Sequence, residues 1–326
     1  MSPTTPVFPA DVVDFMPIPV SLLTAEEIPP VALYRRDSES GGYRLYRNPE
    51  LAIEREDLER LAKGGVKWLY AAAENYGDLQ RYIRGRLNRH IHDETISLSD
   101  RFRTLNDVAR DLLFDAFLHN DTHVVVDTAH RTAAMATQIL CRDDLIASDL
   151  LSMIYHDFQT VTHSINVTYF MVVLAREMQI TDDNGLRDLA AAGILHDLGK
   201  IGIDDKLLQL PDRLSPRQRD VLEKHTTLGF RRLCHHTDLN LGQMMVVYQH
   251  HEREDGGGYP VRCEAHEIHD WAKICGVTNV FESLISNRPY RKRFSTSEAF
   301  ELMDGPTGRG LNQEMLRCWK AIMLKR

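Results

Sequence analysis

The sequence predicts a mainly α protein. Its C-terminal half reads as an all-helical bundle, preceded by a small α+β module and a helical linker. Three observations carry this. β-prone runs separated by glycine-rich breaks are confined to residues 11–85. From residue 86 onward, apolar residues recur at helical spacing. Beyond Thr160, four segments each place histidine at or near the end of an apolar helical stretch, separated by roughly 25 to 35 residues, the length of a helix plus its connection.

The chain has 326 residues, 43% hydrophobic and 26% charged, which suits an ordinary globular protein with room for two domains. A net charge of −8 argues against generic nucleic-acid binding, so an anionic substrate would need a local basic patch. The five cysteines are scattered and form no C-x-x-C pair, as expected of reduced thiols in a cytoplasmic protein. Met1-Ser-Pro-Thr-Thr-Pro6 has neither the basic start nor the apolar run of a secretory signal. The longest apolar stretch, Tyr169 to Ala175, is too short to span a bilayer, so no membrane insertion is expected.

Residues 1–10, with three prolines, read as a disordered lead-in. Within 11–85, Val31-Ala-Leu-Tyr34 and Tyr43-Arg-Leu-Tyr46 flank Ser38-Glu-Ser-Gly-Gly42, a hairpin pattern. Glu54 to Lys63 reads as a helix stopped by Gly64-Gly65, and Val66 to Tyr70 as a returning strand. This module carries no His/Cys/carboxylate cluster and no phosphate loop, which fits an accessory or regulatory role. Residues 86–156 read as a helical linker: Phe102, Leu105, Val108, Leu112 and Leu113 share a helical period, and Asn120-Asp121 interrupts it before a helix to about Leu140. Such a linker could relay a signal or form a homodimer seam, or simply pack as core. His119, His123 and His130 lie there without carboxylates in register and read as packed or surface residues.

Residues 157–326 hold the chemistry. His163 opens a long apolar helix, and an Ala-rich helix from Leu186 to Leu195 delivers His196–Asp197, with Gly199 and Gly202 breaking it. Lys200, three residues past Asp197, could reach the same site. Ser215-Pro-Arg-Gln218 is a helix start with a capping box, and the helix it begins presents His225. Met244 to Tyr248 leads into His250–His251, and Asp255-Gly-Gly-Gly-Tyr-Pro260 is a glycine-rich turn. A histidine beside an aspartate offers nitrogen and oxygen ligands at one point, and a carboxylate can bridge two metals. Five histidines and Asp197 are enough for two divalent ions with open positions. Arg288, Arg291, Lys292 and Arg293 form the basic patch that a phosphodiester needs.

From about residue 157, the chain resembles the HD-GYP domain, the branch of the HD metal-dependent phosphohydrolases that hydrolyses cyclic di-GMP. The matching stretches are His196-Asp-Leu-Gly-Lys-Ile-Gly-Ile203, His225 with Gly229, His250-His-Glu252, Asp255-Gly256 with Gly258-Tyr-Pro260, and Arg288-Pro-Tyr-Arg291. The resemblance implies an HD-type helical bundle and two divalent metals, iron or manganese favoured and nickel or zinc open. It implies His163, His196, Asp197, His225, His250 and His251 as ligands, with Asp197 bridging. Lys200 would sit at the metals or contact phosphate. Gly258 and Tyr259 would line the substrate pocket, and Arg288 and Arg291 would bind the phosphates of cyclic di-GMP.

The sequence departs from the family pattern at several places. Asn279 stands where an aspartate ligand is usual, Gln159 stands where members with three metals carry glutamate, and Glu254 and Gly257 replace the usual Trp and Ser of the turn. Asn279 offers a carbonyl oxygen without charge, so metal affinity should fall, while Gln159 argues against a third metal. The implied reaction is two-metal hydrolysis by an activated hydroxide, giving pGpG and then GMP, with Asp197 and Lys200 at the reacting centre. Two other readings stay open: a cyclic-dinucleotide receptor that Asn279 has disarmed, and an HD phosphohydrolase acting on nucleotides or another cyclic dinucleotide.

Overall fold

The computed structural model describes residues 7–8, 15–25, 28–37, 42–72, 74, 76–119, 121–142, 150–156, 159–204, 207, 215–288 and 291–324. The chain divides into two compact units, 1–111 and 112–326. The division falls inside one helix, within the 86–156 stretch read as a linker.

The first unit is built on strands β1 (Val7–Phe8), β2 (Phe15–Pro19), β3 (Leu33–Arg36), β4 (Tyr43–Arg47) and β5 (Trp68–Ala72), in the order β1-β4-β3-β5-β2. The expected hairpin is present: β3 and β4 pair antiparallel, Arg35 opposite Arg44 and Arg36 opposite Tyr43. The turn expected over 38–41 lies outside the described residues. Two edges were not foreseen. Val7 and Phe8, read as part of the lead-in, pair with Arg44 and Tyr43 because the outer edge of β4 offers unpaired backbone groups; the rest of 1–10 lies outside the described residues. β2 carries Pro17 and Pro19, which a sheet tolerates at its edge, and there it pairs with β5.

Helix α1 (Arg55–Lys63) ends at Gly64, as the sequence predicts, and begins with a capping box between Glu54 and Asp57. Asp57 is buried and is held by the guanidinium groups of Arg47 and Arg60. Helix α2 (Tyr76–His92) buries Leu79, Ile83, Leu87 and Ile91, one stripe at four-residue spacing. Helix α3 (Leu98–His119) follows, with Phe102, Leu105 and Val108 buried.

The second unit is helical. Its elements are α4 (Thr122–Leu140), α5 (Leu150–Met153), α6 (Thr160–Glu177), α7 (Asp183–Leu195), α8 (Pro216–Glu223), α9 (His225–Leu233), α10 (Leu241–Gln249), α11 (Asp270–Ile285), α12 (Thr296–Asp304) and α13 (Gln313–Leu324). Asp121, Asp182, Ser215 and Asn240 cap α4, α7, α8 and α10, each accepting a backbone N–H of the first turn. Helix α6 is apolar almost all round and is buried on nearly every face, packed among α7, α11, α13 and α4. Gly193 lets α7 approach it closely, since a Cβ there would lie 2.6 Å from Thr168 Oγ1. Phe170, Phe281, Phe300 and Trp319 form the aromatic centre of this core. Among the described residues, no helix is long and apolar enough to cross a membrane.

Candidate metal centre

The ends of four helices meet at one point. His163 lies on the first turn of α6, and His196 caps the C-terminus of α7, with Asp197 next to it. His225 is the first residue of α9, not part of the helix that the Ser215 capping box starts; the two helices are separated at Lys224. His250 and His251 follow the last turn of α10. Two glycines make the meeting possible. A Cβ on Gly199 would fall 1.8 Å from His225 O, and one on Gly229 would fall 2.9 Å from Val247 and 3.2 Å from Gly199 N. The turn after Asp197 therefore lies directly on the start of α9, and no other residue fits there.

Asp197 is at the middle of the cluster. Its Oδ2 lies 3.3 Å from His196 Nε2 and 3.6 Å from His163 Nε2. Its Oδ1 lies 3.4 Å from His225 Nε2 and 3.7 Å from His250 Nε2. Ligand atoms of Asp197, His225, His250 and His251 lie within 4.8 Å of one another, and so do those of His163, His196 and Asp197. One carboxylate thus serves two groups, one through each oxygen.

The opposite ring nitrogens are already engaged. Nδ1 of His196, His225 and His250 contacts the carbonyl oxygens of Gly193, Leu222 and Val246 at 2.7, 2.6 and 3.0 Å. Only a protonated nitrogen can donate to a carbonyl, so each Nε2 keeps a lone pair. His163 is oriented differently, with Nδ1 donating to the carboxylate of Glu282 on α11.

The HD domain family model matches residues 145–311. The chain belongs to the HD domain family. Its His-Asp pair and Gly258-Tyr-Pro260 turn place it in the HD-GYP branch. Bd1817, an HDG"Y"P protein from Bdellovibrio bacteriovorus, has the same fold, with a TM-score of 0.69 at 18% identity over 96% of this chain and 100% of that one. A Thermotoga maritima protein named cyclic di-GMP phosphodiesterase is 33% identical over 175 residues, 52% of this chain and 47% of the relative. Cyclic di-GMP phosphodiesterase PA4108 of Pseudomonas aeruginosa is 30% identical over 181 residues, 55% of this chain and 43% of the relative. The chain thus spans about half the length of the curated relatives it matches.

The HD domain cluster fits divalent metals on its own geometry. His196 Nε2 and Asp197 Oδ1 are buried and make no hydrogen bond among the described residues. His225 Nε2 and His250 Nε2 face each other at 3.2 Å although both Nδ1 atoms hold the protons, so two lone pairs are opposed. A cation is what such an arrangement lacks. Burial pushes the His225 imidazole down to about 4. Burial and the neighbouring imidazoles hold His250 and His251 well below the ordinary histidine range, so the rings are neutral at pH 7, the form in which imidazole can bind a metal. Burial opposes ionisation of Asp197, but His196, Lys200 and His225 outweigh it and hold the carboxyl well below the usual range.

Beside the cluster is a cavity of about 210 Å³ lined by Gln159, Thr160, His163, Asp197, Lys200, Leu222, His225, His251, Tyr259 and Arg288. Lys200 Nζ donates to Asp197 Oδ2 at 2.6 Å. The Tyr259 ring stacks on His251, centroids 4.6 Å apart and planes 19° apart. Gly258 does not line the cavity. It lets the turn close on its own start, where a Cβ would lie 2.4 Å from Arg253 N. Glu252 holds that turn from behind, accepting from the backbone N–H groups of Val261, Arg262 and Cys263.

Arg288 lines the cavity and donates to Ser283 Oγ at 2.8 Å. Arg291 does not line it. Its guanidinium donates to the carbonyls of Ser283 and Leu284, at the C-terminal end of α11, and lies over the Phe294 ring. Asn279 is buried on α11, one turn before Glu282. Glu282 was missed by sequence reasoning. It is fully buried, accepts from His163 Nδ1, Asn166 Nδ2 and Ser286 Oγ, and is held down to about 2 against the effect of burial, chiefly by His163. The available signal was a lone acid within the apolar helical run Ile274 to Leu284.

Proposed function

We propose that this protein is a metal-dependent phosphodiesterase that hydrolyses cyclic di-GMP to pGpG and, by a second cut, to GMP. The observation that carries this reading is Asp197, each of whose oxygens faces two imidazole Nε2 atoms. Two divalent ions, iron or manganese favoured, would be held by His163, His196 and Asp197 on one side and by Asp197, His225, His250 and His251 on the other. Asn279 would offer its carbonyl oxygen to the first. When bound, the ions supply Lewis acidity and a water that ionises near neutral pH.

The chain's own residues do the rest. Lys200 and Arg288 put two cationic groups on the cavity wall, where they hold a phosphodiester in line. Tyr259, rigidly stacked on His251, gives the cavity a flat apolar side for a sugar or base. Arg291 acts indirectly: the backbones of Arg288 and Arg291 bond to each other at 2.9 and 3.2 Å, so anchoring Arg291 on α11 holds Arg288 in place. Hydrolysis adds the water oxygen to phosphorus and breaks the bond to the ribose 3′ oxygen, which leaves as a hydroxyl. Residues 11–85 would act as an accessory module, and helical residues within 86–156 as a homodimer seam.

Asn279 favours a second reading, a receptor that binds cyclic di-GMP without turnover. One experiment separates the two: metal analysis and cyclic di-GMP hydrolysis on protein purified without oxygen. Near two metals per chain with release of pGpG supports the enzyme. Tight binding of cyclic di-GMP with no turnover after iron or manganese is restored sinks the enzyme and leaves the receptor.

A further inference from the structure

The two halves of the cluster are not equivalent. Around Asp197 Oδ1 stand His225, His250 and His251, with no hydrogen bond to that oxygen among the described residues and with two lone pairs opposed at 3.2 Å. Around Oδ2 stand only His163 and His196, and the oxygen already accepts from the Lys200 ammonium at 2.6 Å. The first half has three imidazoles and no cation. The second has two imidazoles and one bound cation.

We infer that the centre loads in order, the His225–His250–His251 half first and tightly, the His163–His196 half second and weakly, with Lys200 as the internal competitor for the second ion. The inference rests on the two-metal reading above. A second ion reaching Oδ2 must either displace the ammonium or sit beside it. In the first case it loses the ion pair, in the second it meets a like charge at close range, and both weaken binding. The Lys200 side chain is about a quarter exposed and lines the cavity, so it has somewhere to go. Displaced from Asp197, it faces the position where a substrate phosphate would lie.

The test is calorimetric titration of Mn(II) into the metal-free full chain, with Lys200→Met and Lys200→Arg beside the wild type. The wild type should show two steps. Lys200→Met should tighten the second by roughly 10-fold or more, the scale on which groups around a site alter metal affinity, and leave the first unchanged. Lys200→Arg should keep two separated steps. His163→Asn should remove the weak step alone, and His251→Asn should weaken the tight one. Circular dichroism of each variant excludes unfolding as the cause. Two equal steps in the wild type, or a Lys200→Met chain with both steps unmoved or moved equally, overturn the inference but leave the two-metal reading standing. Binding of no more than one Mn(II) per chain, in the wild type and in Lys200→Met alike, overturns that reading itself.

Discussion

Replacing Glu282 by glutamine removes one charge and almost no volume, so it isolates what the carboxylate does. In the native chain one oxygen accepts from His163 Nδ1 and the other from Asn166 Nδ2 at 3.1 Å and Ser286 Oγ at 2.6 Å. All three partners donate, and a carboxylate can only accept. A glutamine has one oxygen and one NH₂, so if its oxygen keeps His163, its NH₂ confronts Asn166. Loss of a charge-assisted hydrogen bond in a fully buried position costs about 1.5–3 kcal/mol. The second effect is on His163, whose ring would at best keep a neutral amide oxygen in place of the carboxylate that fixes its Nε2 toward Asp197. Losing such a partner lowers metal affinity by roughly 10- to 100-fold. The assay is Mn(II) titration together with urea unfolding of the metal-free protein. Glu282→Gln should weaken the ion held by His163 and His196 and spare the ion held by His225, His250 and His251. If both ions weaken together, or stability falls with neither ion affected, Glu282 is a structural acid and does not orient the ligand.

Metal-free protein should lose stability as the pH falls from about 6.5 to about 4. Burial depresses the folded His225 value below its ordinary 6.5, so the unfolded chain takes up the proton first; this ring alone contributes about 3 kcal/mol, present above that window and lost as pH falls through it. Urea midpoints at pH 7, 5.5 and 4.5 check the sign. Gly199→Ala should cost on the order of 1–3 kcal/mol as overpacking, and should lower metal content, because the added methyl pushes the start of α9 and His225 away from Asp197. Arg288→Ala should weaken cyclic di-GMP binding and, because its guanidinium also donates to Ser283 and lies 3.9 Å from the buried Glu282 carboxylate, lower the melting temperature slightly. Arg291→Ala should lower the melting temperature as well, since its guanidinium satisfies carbonyls at the end of α11. Asn279→Asp should raise metal affinity; turnover appearing only in this variant would favour the receptor reading.

The residues of the cluster were readable in the sequence for a physical reason. Each stands where a helix begins or ends, so His163, His196–Asp197, His225 and His250–His251 punctuate apolar stretches that are themselves periodic. Caps such as Ser215–Gln218 mark the same boundaries from outside. The misreadings share a different cause. Arg291 belongs to a run of basic residues, and composition cannot say whether a guanidinium faces a cavity or the carbonyls of its own helix. β2 hides behind Pro17 and Pro19, which read as breakers until the strand is seen at an edge. Glu282 acts on a histidine 119 residues away, and no local pattern records such a pairing.

Glu282 also bears on the charge that an aspartate at position 279 would bring to the proposed centre and that Asn279 does not. Among the residues brought together here, Asp197 is the one carboxylate that faces the imidazole Nε2 atoms, and Lys200 already offsets part of its charge. Glu282 lies one turn beyond Asn279 on α11, ionised and fully buried, and its charge reaches the centre through His163. A histidine that donates to a carboxylate is a stronger base at its other nitrogen than one that donates to a carbonyl. The half proposed to take Asn279 is the half whose histidine has a carboxylate behind it. The other half has three imidazoles, of which His225 and His250 donate to carbonyls. Asn279 and Glu282 are best tested as a pair: if the carboxylate behind His163 offsets the missing one, Glu282→Gln should weaken the second ion less in an Asn279→Asp background than in the native chain.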